Sequence, residues 1–523
     1  MNFISWVFLV FLLAVIVVYF LVPKKYRYLV LLLSSLLFYL YAGWQHLLYL
    51  LAVILISYLG GLLLSDHIQR KEEYLVLHKE EMTKEEKKKY QRKETKKLSC
   101  LCGLFVIVLL LILVVVKYFN TVVSLLKESY PGIPDTLKII LPVGLSFYLF
   151  QALGYVIDCY RGTIKAERNI LKYSLFLTYF PQLLQGPIER YSDLAPQLTQ
   201  GHFFDEQNFI HGTQRMLIGY LKKVAIADVL SKFVSSVKSD STATGILVFL
   251  MLIAYGIELY CDFSGFMDIA VGASEIFSIK LTENFDTPYL SKSIAEFWRR
   301  WHITLGSWFR DYLYYPILNS TFGRRMLKKR RKWSTSLITI MALLAVWVSM
   351  GLWHGSSLNF LIYGLYHGGF IILSFLLEPI YTKIKKGLGV DEKSFGYQMF
   401  CVIRTFLIVT FGYVFFLSNS LEESCSLILR MFSSTGFATI LDGGLGNYNL
   451  SIFNLFIVLL SVLILIFSSD VVKVRKPFFT ASQGELSLQR SVLSVLMVFV
   501  IAFSWILLYS QGDYSSDFVY FQF

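Results

Sequence analysis

Several features of soluble enzymes are scarce in this 523-residue sequence. Charged residues make up only 16% of the chain, whereas hydrophobic residues make up 55% and the mean hydropathy is +0.57. Soluble domains carry roughly 25% charged residues. The shortage of charge excludes a soluble globular protein and indicates a polytopic membrane protein.

Motifs of several functional classes are absent as well. The sequence has no Gly-rich phosphate loop and no GxSxG serine elbow, which argues against an ATP-driven pump and a serine hydrolase. Its six cysteines form no CxxC pair and have no accompanying histidines, so we expect neither a disulfide framework nor a metal site. The net charge of +13 comes from Lys and Arg in loops between apolar runs. The positive-inside rule explains that pattern without nucleic acid as a partner.

The chain does contain about twelve apolar runs that we interpret as membrane spans, each near the roughly 20 residues that a crossing needs. We place them near 4–22, 28–41, 46–64, 99–118, 138–158, 335–352, 356–377, 398–417, 453–468 and 491–510, with two more between Asn208 and Cys261. Lys24 and Lys25 follow the first run, and no small-residue cleavage site precedes them. We therefore expect a first span and not a signal peptide.

The loops between these spans assign the two sides of the membrane. Lys and Glu alternate three or four residues apart in the loop 65–98, which favours a solvated helix. This loop, the loop after Leu377 and the loop before the last span are basic, and we expect them in the cytoplasm. The N-terminus and the tail 511–523 then lie outside.

Two regions depart from the pattern of long spans. Pro181 interrupts the apolar run 171–184, and Gly186 and Pro187 follow it. We interpret this region as a re-entrant segment that lines a cavity, with a proline-kinked helix as the alternative. The region 284–332 mixes Trp and Tyr with Arg, which is typical of a helix at the membrane interface.

Two histidines are the first candidates for chemistry. His354 lies between the apolar runs 337–350 and 360–377, and His302 lies in the interfacial region. Polar side chains within a bilayer are costly and usually functional, although a hydrogen bond between packed helices explains a lone membrane histidine equally well. An imidazole with its ordinary pKa of about 6.5 suits a general base that acts on a hydroxyl group.

A set of separated motifs makes the sequence resemble the membrane-bound O-acyltransferases, and most closely their alginate O-acetyltransferase and teichoic acid D-alanyl transfer branch. The motifs are Phe180-Pro181-Gln182 with Gly186-Pro187-Ile188, Asp262-Phe263-Ser264-Gly265, Phe297-Trp298-Arg299-Arg300-Trp301-His302, Trp308 with Arg310-Asp311-Tyr312, and Trp353-His354-Gly355. They extend from about Leu141 to Gly369, nearly half of the chain, in the family's order.

The resemblance implies an all-α ring of tilted helices around a central tunnel, with an acyl thioester donor on the cytoplasmic side and a hydroxyl acceptor outside. It divides the chain into N-terminal helices (1–138), a catalytic core (139–378), C-terminal helices (379–510) and the extracellular tail (511–523). His354 matches the catalytic histidine of the family and His302 its second histidine. His354 would be the base, and His302 would orient or polarise groups in the tunnel.

Other residues of these motifs are weaker candidates for binding. The indoles of Trp301 and Trp353 and the amide of Asn359 could donate hydrogen bonds to a developing oxyanion. Arg299, Arg300 and Arg310 could meet the phosphates of a coenzyme A donor. Anchoring of the chain on the cytoplasmic side explains the same arginines equally well.

The C-terminal tail carries a further candidate, Tyr520. Residues Phe518 to Phe523 resemble the FxYxxF motif of a small partner protein in D-alanylation systems, whose tyrosine accepts the acyl group. A phenol with a pKa of about 10 is easier to deprotonate than a serine hydroxyl. Ten residues separate Tyr520 from the expected helix end near Ser510, a reach of about 3.3 Å per residue. An aromatic belt at the membrane interface is the alternative.

We therefore expect an O-acyltransferase, most closely an O-acetyltransferase, of a bacterial cell membrane. It would use acetyl-CoA as co-substrate and no other cofactor, and would pass acetyl through Tyr520 to an extracellular acyltransferase partner for O-acetylation of an extracellular or cell-wall polysaccharide. D-alanyl transfer to teichoic acid from a carrier protein is the first alternative. A transporter or channel with a histidine proton relay, and an acyltransferase for lysophospholipid or a secreted protein, are the others.

Overall fold

The computed structural model of the protein describes residues 1–130, 132, 134, 138–328, 332–433, 444–473 and 494–506. Within these ranges the secondary structure is helical, apart from one isolated β-bridge. In chain order the α-helices are α1 (Trp6–Leu21), α2 (Arg27–Leu40), α3 (Trp44–Leu77), α4 (Lys84–Ser129), α5 (Leu145–Arg161), α6 (Ile170–Thr178), α7 (Phe180–Leu183), α8 (Tyr191–Gln200), α9 (Glu206–Tyr220), α10 (Asp228–Ser239), α11 (Ile246–Ile276), α12 (Ile294–Arg300), α13 (Ile303–Phe309), α14 (Tyr315–Asn319), α15 (Thr321–Lys328), α16 (Lys332–His354), α17 (Leu358–Gly387), α18 (Phe395–Leu417), α19 (Leu421–Phe432), α20 (Ile452–Lys473) and α21 (Ser494–Ile506).

Six helices of the described chain are long and apolar enough to cross a membrane, namely α3, α4, α11, α16, α17 and α18. The helices α1, α20 and α21 are apolar as well but shorter in their described lengths. The prediction of an all-helical, multi-pass membrane protein is thus confirmed. The total of about twelve crossings and the orientation of the ends stay predictions.

The chain separates into two compact units. One consists of Met1–Phe209 with Ala273–Leu281, and the other consists of Ile210–Gly272 with the described residues from Thr282 onward. Both candidate histidines lie in the second unit. The sequence-based division at 138, 378 and 510 stays a prediction.

In the first unit, the charged loop 65–98 is an extension of two long helices. The helix α3 continues to Leu77, and α4 begins at Lys84 after a capping box between Thr83 and Glu86. The rings of Tyr74 and Tyr90 stack across the pair at 4.5 Å. The solvated helix that the Lys/Glu spacing predicts is therefore present, as the first turns of α4.

The predicted span 138–158 begins later than expected. Helix α5 starts at Leu145, after Gly144 in a left-handed conformation with φ +73°. A Cβ at Gly144 would collide with the carbonyl oxygen of Leu183, so this position requires glycine. Before it, the side chain of Asn120 bonds both the amide (2.9 Å) and the carbonyl (2.8 Å) of Ile139, which holds that residue outside the helix.

The region around Pro181 is irregular, as predicted. Helix α6 ends at Thr178, Tyr179 adopts a non-helical ψ of 111°, and only one turn of helix follows. The side chains from Tyr179 to Glu189 are buried, and the amide of Phe180 donates to Ser35 Oγ at 3.0 Å. The chain breaks before the proline, so a simple kink at Pro181 does not describe it. A re-entrant path through the membrane stays a prediction.

In the second unit, α16 and α17 form a hairpin that places His354 near the turn. The backbones approach closely because Gly351 faces the carbonyl of Phe360 and Gly364 faces that of Trp347. Helix α18 packs against α17, and the short α12 packs against both. The residues of the candidate site lie around these elements.

Candidate active site

The backbone conformation at His302 is fixed by pairing between two short segments. The amide of Asp286 donates to the carbonyl of Arg300, and the amide of Ile303 donates to the carbonyl of Asn284, both at 3.0 Å. His302 stands at the turn between α12 and α13 with φ +48°. Such a conformation costs a non-glycine residue about 1–3 kcal/mol and persists where surrounding structure imposes it. The two hydrogen bonds supply that constraint.

The side chain of Asn284 organises the polar groups next to this turn. Its Oδ1 accepts hydrogen bonds from the amide and the hydroxyl of Thr304, both at 3.0 Å, and lies 3.2 Å from Nδ1 of His302. The Nδ2 of Asn284 contacts the sulfur of Met267 at 3.4 Å. Asn284, His302 and Thr304 are all buried, so these contacts are shielded from water. Asn284 was not among the site residues predicted from the sequence.

The ring of His302 lies among aromatic side chains. Its centroid is 4.9 Å from that of Phe263 and 5.9 Å from that of Trp353, in edge-on arrangements. Burial lowers the pKa of His302 to about 3, because an apolar environment disfavours the imidazolium. The ordinary imidazole pKa of about 6.5, on which the prediction of a general base depended, does not apply to His302. His302 is therefore neutral at physiological pH and is a weaker base than a solvated histidine.

His354 is the last residue of α16 and is buried as well. Its ring contacts Phe416 at 5.1 Å and Tyr363 at 6.0 Å, and it stacks on Phe360 at 6.2 Å. A Cβ at Gly355 would collide with the ring of Phe360, so the glycine after the histidine lets this ring pack at the end of the hairpin.

Trp353 connects the two histidines. Its indole lies 5.9 Å from the ring of His302 and 4.7 Å from the ring of His354. The two imidazoles, 52 positions apart in the sequence, thus contact one buried side chain. The structure brings together these three of the predicted site residues.

Trp301 and Asn359 have other neighbours. Trp301 packs in an aromatic cluster, with ring distances of 5.1 Å to Phe285 and 5.5 Å to Phe297. Asn359 is fully buried near the start of α17 and donates from Nδ2 to the carbonyl of Ser418 at 3.0 Å. These contacts hold neighbouring segments together. They do not position Trp301 or Asn359 as a donor to an oxyanion.

The three arginines lie toward the surface. Arg299 is exposed, Arg300 pairs with Glu296 at 2.7 Å, and Arg310 pairs with Asp311 at 2.9 Å. Pairing with carboxylates reduces the charge that Arg300 and Arg310 offer to a phosphate. Their role toward a donor stays a prediction.

The remaining predicted residue, Tyr520, lies outside the described residues. Its role as an acyl acceptor depends on the sequence motif alone.

A third buried histidine, His367 of α17, was not identified from the sequence. Its ring contacts Tyr363 at 4.7 Å and Trp298 at 5.0 Å, and neither ring nitrogen has a hydrogen-bond partner among the residues described. A Cβ at Gly412 would lie 2.8 Å from Nε2, so α18 approaches this nitrogen closely. A lone histidine inside the apolar run 356–377 was the signal that could have found it.

A buried network of charged side chains was also missed. Lys222 and Lys223 lie in a π-helical turn between α9 and α10. Lys223 pairs with Asp262 at 2.7 Å and with Asp228 at 2.8 Å, and Lys222 pairs with Asp268 at 2.6 Å. The acids on α11, which follow the lysines in the sequence by about 40 residues, neutralise both lysines.

Comparison with known proteins gives one family. Residues 164–417 match the membrane-bound O-acyltransferase family, and that range includes His302 and His354. The resemblance that the separated motifs indicate is thereby confirmed.

Similar curated proteins come from bacteria. A probable alginate O-acetylase of Pseudomonas syringae pv. tomato is 36% identical over 296 residues, which cover 56% of this chain and 52% of that protein. The peptidoglycan O-acetyltransferase of Helicobacter pylori is 29% identical over 349 residues, or 61% of each chain. The teichoic acid D-alanyltransferase of Bacillus subtilis is 28% identical over 279 residues, or 52% of this chain and 68% of that one. The aligned region spans little more than half the length of the alginate O-acetylases.

Proposed function

Because residues 164–417 match the membrane-bound O-acyltransferase family, we propose that this chain is an O-acetyltransferase of a bacterial cell membrane. It takes acetyl from cytoplasmic acetyl-CoA and carries it across the membrane by way of Tyr520. An extracellular acyltransferase partner then places the acetyl group on an extracellular or cell-wall polysaccharide. The tail with Tyr520 accordingly lies outside the cell.

The observation that carries this proposal is the contact of Trp353 with both imidazoles, at 5.9 Å from His302 and 4.7 Å from His354. The two imidazoles and the buried indole form a site from which water is largely excluded. In such a site His354 can accept the proton of a hydroxyl group while His302 orients the substrate through a hydrogen bond. General base catalysis in such a site contributes about 10²–10⁴-fold to a rate.

In the first step His354 accepts the phenolic proton of Tyr520 while the phenolic oxygen bonds to the thioester carbonyl carbon. The intermediate collapses with cleavage of the C–S bond, and the thiolate takes the proton from His354. One tyrosyl acetate and one free coenzyme A thiol form for each thioester consumed. His302, neutral because of its low pKa, orients the reacting groups through hydrogen bonds.

In the second step a sugar hydroxyl attacks the tyrosyl acetate. A phenyl ester has a better leaving group than an alkyl ester, so the acetyl remains reactive enough to be passed on. The sugar oxygen gains the acetyl group, and its proton returns to the phenolate of Tyr520. The extracellular partner supplies the base for this step.

The experiment that tests the proposal is mass spectrometry of the C-terminal peptide from protein purified out of its native membrane. We expect an acetyl increment on Tyr520 in the wild type and its loss in His354→Ala and in Tyr520→Phe. His78→Ala, at the end of α3 in the other unit, is the control and keeps the increment. Size-exclusion elution in detergent establishes that each variant is folded.

Two results would contradict the proposal. An increment that persists in folded His354→Ala would remove His354 as the base. The absence of any adduct in wild-type protein supplied with acetyl-CoA would remove Tyr520 as the acceptor, and would give weight to a transporter with a histidine proton relay.

D-alanyl transfer is the second candidate function. It is favoured by the similarity to the teichoic acid D-alanyltransferase, which covers 68% of that protein's length against 52% for the alginate O-acetylase. The same peptide distinguishes the two, because an alanyl increment on Tyr520 replaces the acetyl increment. In that case a D-alanyl carrier protein, and not acetyl-CoA, is the donor.

A further inference from the structure

The amide of Asn284 has only one orientation that satisfies its neighbours. Its Oδ1 lies 3.0 Å from the backbone nitrogen of Thr304. A backbone N–H can only donate, so the atom that faces it must be the oxygen. The hydroxyl of Thr304 donates to the same oxygen at 3.0 Å. The identity of the oxygen is therefore fixed independently of the histidine.

This orientation determines where the proton of His302 lies. The oxygen of Asn284 is an acceptor, and Nδ1 of His302 lies 3.2 Å from it, so Nδ1 must carry the hydrogen. A neutral imidazole has one N–H and one lone pair, which leaves the lone pair on Nε2. The partner of one ring nitrogen thus sets the chemistry of the other.

The surroundings of the ring keep it neutral. Phe263 of α11 and Trp353 of α16 approach the ring, and Met267 of α11 contacts Asn284 beside it; none of these side chains is titratable or charged. Arg300, two residues before His302 in the chain, pairs with Glu296. Burial is the cause of the low pKa of His302. The single tautomer is therefore present across the physiological range of pH.

We propose that Asn284 is the positioning residue of His302: it fixes the tautomer with the lone pair on Nε2 and holds the ring at the turn. Through this lone pair His302 accepts a hydrogen bond from an N–H or O–H group of the bound thioester substrate during acyl transfer. The tautomer follows from the contacts of Asn284 alone, whereas the last step rests on the proposed function.

Three variants test the proposal in acetyl transfer. Asn284→Ala removes the partner of Nδ1, and we expect kcat to fall about 10–100-fold, the loss typical when the hydrogen-bond partner that orients a metal-ligating histidine is removed. Asn284→Asp keeps the acceptor and restores activity at alkaline pH. Thr304→Val removes one hydrogen bond to the same oxygen but leaves the contact with His302, and we expect kcat near that of the wild type.

The pH profile separates positioning from a merely structural role. A carboxylate at position 284 favours the imidazolium and raises the pKa of His302. Because the lone pair on Nε2 is lost on protonation, the activity of Asn284→Asp falls as the pH drops through the raised pKa. In the wild type His302 contributes no such decrease in this range of pH, so the profile of Asn284→Asp is displaced to higher pH relative to that of the wild type. An unchanged profile in active Asn284→Asp, or equal losses in Asn284→Ala and Thr304→Val, would overturn the positioning role.

A second measurement does not depend on acyl transfer at all. In protein labelled with ¹⁵N-histidine, NMR distinguishes a protonated from an unprotonated ring nitrogen, and His302→Gln identifies the resonances of His302. We expect protonated Nδ1 and unprotonated Nε2 in the wild type, and a mixture of tautomers in Asn284→Ala. A wild type with protonated Nε2 would refute the tautomer assignment. The expected tautomer in a protein without transferase activity would refute only the proposed function.

Discussion

Gly351 and Gly364 face each other across the hairpin of α16 and α17. A Cβ at Gly364 would lie 3.1 Å from Cα of Gly351 and would collide with the carbonyl oxygen of Trp347. The two helices can approach this closely only because both positions lack side chains. This contact lies within a few residues of His354, so it sets the position of the candidate base.

Gly364→Ala is expected to separate the two helices at this contact. Overpacking costs typically about 1–3 kcal/mol, and the displacement of His354 lowers acetyl transfer more than it lowers the melting temperature in detergent. Gly369→Ala, on the same helix, is the matched control because nothing lies within 4 Å of its added Cβ. We expect full activity in that variant. Equal activities of the two variants would show that the hairpin contact does not position His354.

Lys223→Met is expected to destabilise the protein strongly. The substitution leaves Asp262 and Asp228 buried without their common cation, and breaking a buried ion pair on one side costs about 3–5 kcal/mol. Thermal unfolding in detergent measures the change. Lys385→Met removes a surface pair with Glu392 and should leave the melting temperature nearly unchanged. A similar melting temperature for both variants would mean that the buried network contributes no more than a surface pair.

The fold was predictable from the sequence where local interactions determine it, and not where contacts between distant residues do. Apolar runs and charge spacing are local, and they located the long apolar helices α3, α4, α16, α17 and α18, the charged first turns of α4 and the irregular region around Pro181. The start of α5 at Leu145 was misplaced because Asn120 holds Ile139 from a distant position. The pattern of apolar residues does not predict such a contact.

The candidate site was predictable only in part, for the same reason. His302 and His354 could be selected from motifs, but their common contact with Trp353 depends on tertiary packing. Asn284 could not be found, because an asparagine before an aromatic loop has no distinctive spacing to a histidine 18 residues later. The pairing of Lys223 with Asp262 likewise could not be predicted, because the two residues are distant in the sequence.

His302 predicts a dependence of stability on pH. Its pKa is about 3 in the folded protein and about 6.5 when unfolded, so between these values the unfolded state binds more protons. Stability from this group is therefore complete above about pH 6.5 and falls as the pH drops toward 3, by at most about 1.4 kcal/mol per pH unit.

The melting temperature in detergent at pH 7 and pH 5 checks this dependence. We expect the decrease between the two values to be smaller in His302→Gln than in the wild type, and to be unchanged in His78→Gln. An identical decrease in His302→Gln would show that another group causes the acid sensitivity.

His367→Leu is expected to leave the fold as stable as the wild type or to stabilise it. Within the described chain neither nitrogen of His367 has a partner, and a buried polar atom without a hydrogen bond costs about 1–3 kcal/mol. Leucine fills a similar volume beside Gly412 without that cost. The melting temperature measures the effect. A marked decrease would instead show that the ring nitrogens are hydrogen-bonded in the protein, and that His367 has a polar ligand.

Trp353 can serve the site either through its indole N–H or through the shape of its ring, and two substitutions separate these roles. Loss of an oxyanion donor typically lowers kcat about 10²–10³-fold, and Trp353→Phe removes the donor but keeps an aromatic ring against His302 and His354. Because the indole lies at ring-contact distance from both imidazoles, we expect the shape to dominate. Trp353→Phe should then keep most of the transfer rate, whereas Trp353→Ala, which removes the contact between the histidines, should lose it. A loss as large in Trp353→Phe as in Trp353→Ala would assign the oxyanion role to the indole N–H.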